Sequence, residues 1–161
     1  MRAIGYVRVS TQEQVSQGLS LEAQRGAIES YARLRGLDLV DVVEDPGVSA
    51  AKPLAQRPGG KRLLDAINRG EAQAVVVVKL DRAFRSSIDA LSTIEMWQKK
   101  GISLHVVDLG GMPFDTTTAV GKFLLSVLAA AAEMEKNLIR ERTKTALAWK
   151  RRNGEVYNHE P

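Results

Sequence analysis

Three times in this chain a helix-forming segment stops at a glycine and runs directly into a strand, and no other feature limits its fold so tightly. Residues 21–35, 58–69 and 87–100 read as helices, and Gly36, Gly70 and Gly101 follow them. A glycine just past the last turn takes the left-handed conformation that closes a helix. Residues 37–44, 74–80 and 102–108, with 2–9 at the start, are rich in Val and Ile and read as strands. Four consecutive valines within 74–80 suit a strand covered on both faces. The alternation predicts the α/β class, with a mostly parallel sheet between helices and right-handed crossovers.

Residues 116–152 differ. They contain no Pro and one Gly, Gly121, and read as one helix, which at 1.5 Å per residue would be roughly 50 Å long. Val120, Phe123, Leu124, Val127, Leu128, Ala131 and Met134 form an apolar stripe in its first half, and Phe123, like Trp97, is expected in the core. The second half is basic. Residues 1–135 balance 16 basic against 16 acidic side chains. Residues 136–152 set Lys136, Arg140, Arg142, Lys144, Lys150, Arg151 and Arg152 against Glu141 alone, a charge of +6 that the −2 of the last nine residues reduces to the net +4. A nucleic-acid contact and a solvated helix face both fit that block.

Other classes are excluded by what the chain lacks. Without Cys there is no disulfide, thiolate catalysis or zinc finger, and two distant His argue against a metal centre. No apolar run approaches the roughly 20 residues of a bilayer span, and the N-terminus does not read as a signal peptide. A cytoplasmic protein with no membrane partner is expected.

Side chains alternate along a strand, so Tyr6, Arg8 and Ser10 share one face of the first. Ser10 falls where that strand ends, and open parallel sheets bind ligands beyond the carboxyl ends of their strands. The third strand delivers Lys79-Leu80-Asp81-Arg82-Ala83-Phe84-Arg85 to the same layer. Arg82 and Arg85 share a face if that segment is helical. A loop over 45–58 brings Arg57. One hydroxyl and up to four guanidinium groups (Arg8, Arg57, Arg82, Arg85) can therefore gather at one sheet edge. Guanidinium groups grip phosphate oxygens in pairs and stay charged at any working pH. Around a phosphate they would stabilise a phosphoryl-transfer transition state and favour a serine alkoxide without a histidine base.

Plainer readings exist for each residue. A serine at a strand end ordinarily caps a turn or helix, and Asp81-Arg82 is a local ion pair of little worth when exposed. His105 reads as a packed core residue rather than a triad member. Gly59-Gly60-Lys61 lacks the spacing of a phosphate-binding loop. Gln24 lies on the inward stripe of the first helix, where a polar group needs a partner.

Together, four blocks resemble the catalytic domain of the serine recombinases, the resolvase/invertase and serine-integrase family. They are Gly5-Tyr6-Val7-Arg8-Val9-Ser10-Thr11 with Gln14 and Gln24; Asp45-Pro46-Gly47-Val48-Ser49 with Arg57-Pro58; Lys79-Leu80-Asp81-Arg82-x-x-Arg85; and Glu133-x-Glu135-x-x-x-Ile139-x-Glu141-Arg142-Thr143. The resemblance runs in order over residues 1–152. It departs from the family pattern at Ala50-Ala51, Ala83 and Lys136.

The resemblance implies a three-layer α/β/α fold with a mixed sheet of about five strands, the fifth falling within 109–114. It implies a catalytic domain over 1–115, a long dimerisation and DNA-crossing helix over 116–152, and over 153–161 the start of a linker to a further DNA-binding region. Ser10 would attack a DNA phosphodiester, form a 5′-phosphoserine link and rejoin exchanged strands without metal, ATP or other cofactor. Arg8, Arg57, Arg82 and Arg85 would hold the phosphate and Asp81 assist, with Tyr6, Gln14, Gln24, Glu141 and Arg142 in support. Lys136, Arg140, Lys144, Lys150, Arg151 and Arg152 would contact double-stranded DNA, and the protein would act as a homodimer that pairs into a synaptic tetramer.

Two other readings stay open on the residues alone. One is a non-enzymatic module that binds a phosphorylated partner or DNA, because α/β sheets host many functions. The other is a hydrolytic phosphoesterase or nuclease using the same serine; a nuclease needs no extended dimer-forming helix.

Overall fold

A computed structural model describes residues 1–15 and 20–154. Five strands form one sheet: β1 (Arg2–Val9), β2 (Asp38–Pro46), β3 (Ala74–Val77), β4 (Ser103–Leu109) and β5 (Met112–Asp115), in the order β2-β1-β3-β4-β5. The first four are mutually parallel and β5 is antiparallel to β4. The sheet is therefore mixed, and its fifth strand overlaps the expected span 109–114 but starts at Met112, runs on to Asp115 and leaves Leu109 to β4. Gly36, Gly70 and Gly101 all have positive φ, between 64° and 73°, and end their helices as expected.

Side-chain alternation on β1 divides the core into two layers. Ala3 and Val7 face α2 (Leu21–Leu34) and pack with Ile28, Tyr31, Val42 and Val76. Ile4 and Tyr6 face the opposite layer, which contains α3 (Pro58–Asn68), α5 (Ser87–Lys99) and the root of α6 (Ala119–Arg152). Trp97 lies in that layer, 1% exposed, as the helical stripe predicts.

Two expectations need correction. The third strand ends at Val77, and after Lys79 the chain coils into the short helix α4 (Leu80–Ala83). Phe84 then extends (φ −114°, ψ 151°) and buries its ring beside Trp97, with centroids 6.1 Å apart. That break separates Arg85 from Arg82, so the two do not share a helical face. The second correction concerns Phe123, which is 66% exposed rather than core. Leu124, Leu125 and Leu128 pack against the domain, whereas Val120, Phe123, Val127 and Met134 stay on the open side. The apolar stripe is wider than the single face that α5 covers.

Thr118 caps α6, its hydroxyl accepting from the Gly121 amide at 2.9 Å. Gly121 lies so close to strand β5 that an added Cβ would stand 1.7 Å from the Asp115 carbonyl oxygen. From residue 136 onward α6 is exposed throughout. Among the described residues no helix is long and apolar enough to cross a membrane.

Candidate active site

The carboxyl ends of β1, β2 and β3 meet on one edge of the sheet, and the sequence blocks converge there. Register explains the convergence, since Arg8 pairs with Asp45 and Tyr6 with Val77. The next turns therefore start from one layer: α1 (Thr11–Val15), the loop ahead of α3, and α4.

Buried contacts set the base of the site. The Tyr6 hydroxyl donates to Asp45 at 2.7 Å and accepts from Arg57 Nη1 at 3.1 Å. Asp45 also accepts from the Gly59 and Gly60 amides at 2.7 and 2.9 Å, which fixes the start of α3. Burial pushes the Tyr6 phenol well above its ordinary pKa, so it stays protonated and can donate. Arg57 is fully buried, and its remaining donors reach the carbonyls of Lys52, Ala50 and Arg82 at 2.8–3.2 Å.

Arg8 and Arg82 hold each other through backbone carbonyls. Arg8 Nε donates to Arg82 O at 3.2 Å, and Arg82 Nη1 donates to Arg8 O at 3.1 Å. Arg8 Nη1 also reaches the Val48 carbonyl at 2.8 Å. Burial, and then the neighbouring Arg82 charge, lower the pKa of Arg8. Gln24 completes this frame from α2: its amide donates to Arg8 O at 3.0 Å and accepts from Arg8 N at 3.3 Å. It is fully buried, and the partner that its inward position demanded is the strand carrying Arg8.

Ser10 stands at the mouth of this cluster and begins α1. Its Oγ accepts from the Glu13 amide at 3.1 Å, and its own amide donates to Glu13 Oε2 at 2.7 Å. This reciprocal pair is a capping box, so Ser10 is also the cap residue of the plainer reading. Glu13 Oε1 accepts from Arg82 Nη2 at 2.7 Å, and Glu13 Oε2 lies 3.6 Å from Arg8 Nη1. The bond from Arg82, then that from the Ser10 amide, hold the Glu13 carboxyl at about 2.

Tyr6, Arg8, Ser10, Gln24, Arg57 and Arg82 are thus joined through a single network. Asp81 is exposed and accepts from Arg82 Nε at 3.1 Å. Arg85 turns outward to Asp89, 3.8 Å away, and is not part of the cluster. Glu141 and Arg142 lie on the exposed distal half of α6, as do Lys136, Arg140, Lys144, Lys150, Arg151 and Arg152. None of these belongs to the network around Arg8. Gln14 lies on α1, but its side chain falls outside the described residues, as do residues 155–161 of the expected linker. Asp45 and Glu13 were not identified as site residues from sequence. The Ser10-x-x-Glu13 spacing is a capping-box signature and could have flagged the second.

Fold and site together define an α/β domain with a serine at an arginine-lined sheet edge and a long helix leaving the body. The family model "Resolvase, N terminal domain" matches residues 3–156. A Transposon Tn2501 resolvase of Escherichia coli is 34% identical over 157 residues, which covers 97% of this chain and 74% of the relative. A DNA-invertase of Salmonella abortus-equi is 35% identical over 159 residues, 99% of this chain and 74% of the relative. Among solved structures, a resolvase family site-specific recombinase from Streptococcus pneumoniae superposes with a TM-score of 0.77 at 31% identity, covering 94% of this chain and 99% of that one. The N-terminal catalytic domain of TP901-1 integrase gives 0.74 at 32% identity, covering 86% and 98%. The chain belongs to the resolvase family of serine site-specific recombinases.

Proposed function

We propose that this chain cleaves and rejoins double-stranded DNA with Ser10 as nucleophile. Ser10 Oγ attacks a backbone phosphorus, the P–O3′ bond breaks, and the 3′-oxygen leaves with a proton. The product is a 5′-phosphoserine link. The reverse attack by a 3′-hydroxyl of an exchanged strand restores the diester and frees Ser10. Each step replaces one phosphoester with another, so rejoining needs no ATP. Guanidinium charge stabilises the transition state in the role that a metal ion fills elsewhere, and the reaction runs without a metal cofactor.

The observation that supports this most is the position of Ser10 at the end of β1, its capping partner Glu13 bonded to Arg82 and lying beside Arg8. Arg8 and Arg82 hold the scissile phosphate, Arg57 braces Arg82 from the buried side through the Arg82 carbonyl, Asp81 assists proton transfer, and Arg85 swings in from Asp89 when DNA arrives. Tyr6, Gln14 and Gln24 keep the arginines in place, and Glu141 and Arg142 support the DNA-bound arrangement.

Residues 1–115 carry the chemistry and 116–152 carry assembly. The open face of α6 at Val120, Phe123, Val127 and Met134 takes a second copy of the chain, and two dimers pair in the synaptic tetramer. The exposed basic residues of its distal half lie along DNA. The test is to incubate the protein with supercoiled DNA carrying its recombination site and resolve covalent protein–DNA adducts under denaturing conditions. The adduct forms with wild type and is absent with Ser10→Ala; an adduct that persists in the alanine variant contradicts the reading.

A further inference from the structure

Glu13 occupies the place at which the proposed reaction needs a phosphate. Its Oε1 takes Arg82 Nη2 at 2.7 Å, and its Oε2 takes the Ser10 amide at 2.7 Å with Arg8 Nη1 at 3.6 Å. A carboxylate presents one negative charge over two acceptor oxygens, as the two non-bridging oxygens of a phosphodiester do. The same donors suit both anions, and Ser10 Oγ lies next to either.

Burial distinguishes the partners. The Arg8 and Arg82 side chains are 4% and 12% exposed, whereas Glu13 is 30% exposed. The two cations are fixed in the wall by carbonyl contacts, and the anion is the element that faces solvent. It also sits on a five-residue helix held at its start by the same capping box. Without an anion at this point, two guanidinium groups would lie side by side at the mouth with only the exposed Asp81 carboxylate, 3.1 Å from Arg82 Nε, to oppose their charge.

We infer that Glu13 is the internal ligand of the phosphate site: it positions Arg8, Arg82 and Ser10 before DNA binds, and the incoming phosphodiester displaces its carboxylate. Glu13 is on this account a positioning residue rather than a catalytic one. The inference rests on the proposed role of Ser10 for its meaning, but the anion exchange itself does not require Ser10 to react.

Dimethyl phosphate serves as the probe, titrated into the 161-residue chain while the guanidinium resonances of Arg8 and Arg82 are followed by NMR. Glu13→Gln retains a residue that completes a capping box but removes the charge. It should bind dimethyl phosphate about tenfold more tightly than wild type, because no internal anion must first leave. Glu13→Ala, which also deletes the bond from the Ser10 amide to the Glu13 carboxylate, should show the same gain despite a lower melting temperature. In the wild type the Glu13 carboxyl carbon should shift in step with the two arginines as the probe saturates. Unchanged or weaker binding in Glu13→Gln overturns the inference, and so does a Glu13 signal that stays still while the arginines titrate. Each measurement is repeated with Ser10→Ala. Tightening by Glu13→Gln in that background, with covalent DNA adducts still formed by Ser10→Ala, would leave anion exchange standing and remove Ser10 as nucleophile. Loss of adducts without any tightening would do the reverse.

Discussion

The Tyr6 hydroxyl donates to Asp45 at 2.7 Å, joining β1 to the end of the neighbouring edge strand β2 beside Arg57. Tyr6→Phe keeps the ring and removes the bond. Asp45 retains the Gly59 and Gly60 amides, and Arg57 retains its carbonyl partners. The expected loss is about 1–2 kcal/mol of stability, the cost of an interrupted buried hydrogen bond. Cleavage should fall about tenfold, equivalent to about 1.4 kcal/mol of barrier, with DNA affinity unchanged in a filter or gel-shift assay. An equal fall in affinity would argue that Tyr6 shapes the DNA surface instead.

At Gly121 the root of the long helix touches β5 with space for no Cβ beside the Asp115 carbonyl. Gly121→Ala should destabilise the chain by about 2–3 kcal/mol through overpacking. Gly26 is an exposed helical glycine with nothing within 4 Å of an added Cβ, so Gly26→Ala should stabilise by about 0.5–1 kcal/mol. Thermal unfolding of both variants checks the pair. Equal effects would show that the α6 root yields more than its contacts suggest.

Much of this was legible in the sequence, for identifiable physical reasons. Glycine-terminated helices and Val-rich runs fixed the α/β class, because each signal is local. Gln24 could be foreseen as needing a partner, because an amide on an apolar stripe must bond. Arg85 was misplaced because Phe84 answers to a distant ring, Trp97, rather than to helical spacing. Phe123 was misplaced because periodicity identifies an apolar face but not whether another surface covers it. Arg57 shows a third limit: its residue type suggested a phosphate contact, but its complete burial beneath carbonyls is a tertiary fact.

His105 on β4 gives the fold a pH dependence. Its Nδ1 lies 3.1 Å from Tyr31 Oη and 3.6 Å from Asp115, its Nε2 lies 3.2 Å from Ser103 Oγ, and Arg35 caps Asp115 at 2.6 Å. Burial lowers the His105 pKa; Asp115 opposes that shift, and Arg35 adds to it. The folded chain therefore binds this proton less readily than the unfolded chain. Stability is complete above the unfolded value of about 6.5 and declines as pH falls below it, by at most about 1.4 kcal/mol per pH unit. Asp115, whose own pKa is lowered, acts only in more acidic solution. His105→Gln should flatten the melting-temperature curve between about pH 7 and 5. An unchanged slope would assign the dependence to other groups.

The open face of α6 predicts self-association. Phe123 and Val127 are 66% and 51% exposed on the same side of the helix, and apolar faces of this kind mark interfaces. Sedimentation should show concentration-dependent dimers for the wild type and monomers for Phe123→Asp, with equal melting temperatures at concentrations where the wild type is itself monomeric. Dimers that persist in Phe123→Asp would place the contact elsewhere.

The central claim is that Ser10 becomes covalently joined to DNA, and peptide mapping of the trapped adduct tests it most directly. After digestion with nuclease and protease, mass spectrometry should find a nucleotide esterified through its 5′-phosphate to Ser10 in the peptide that contains Arg8 and Glu13. A nucleotide on any other residue, or one attached through a 3′-phosphate, would contradict the mechanism.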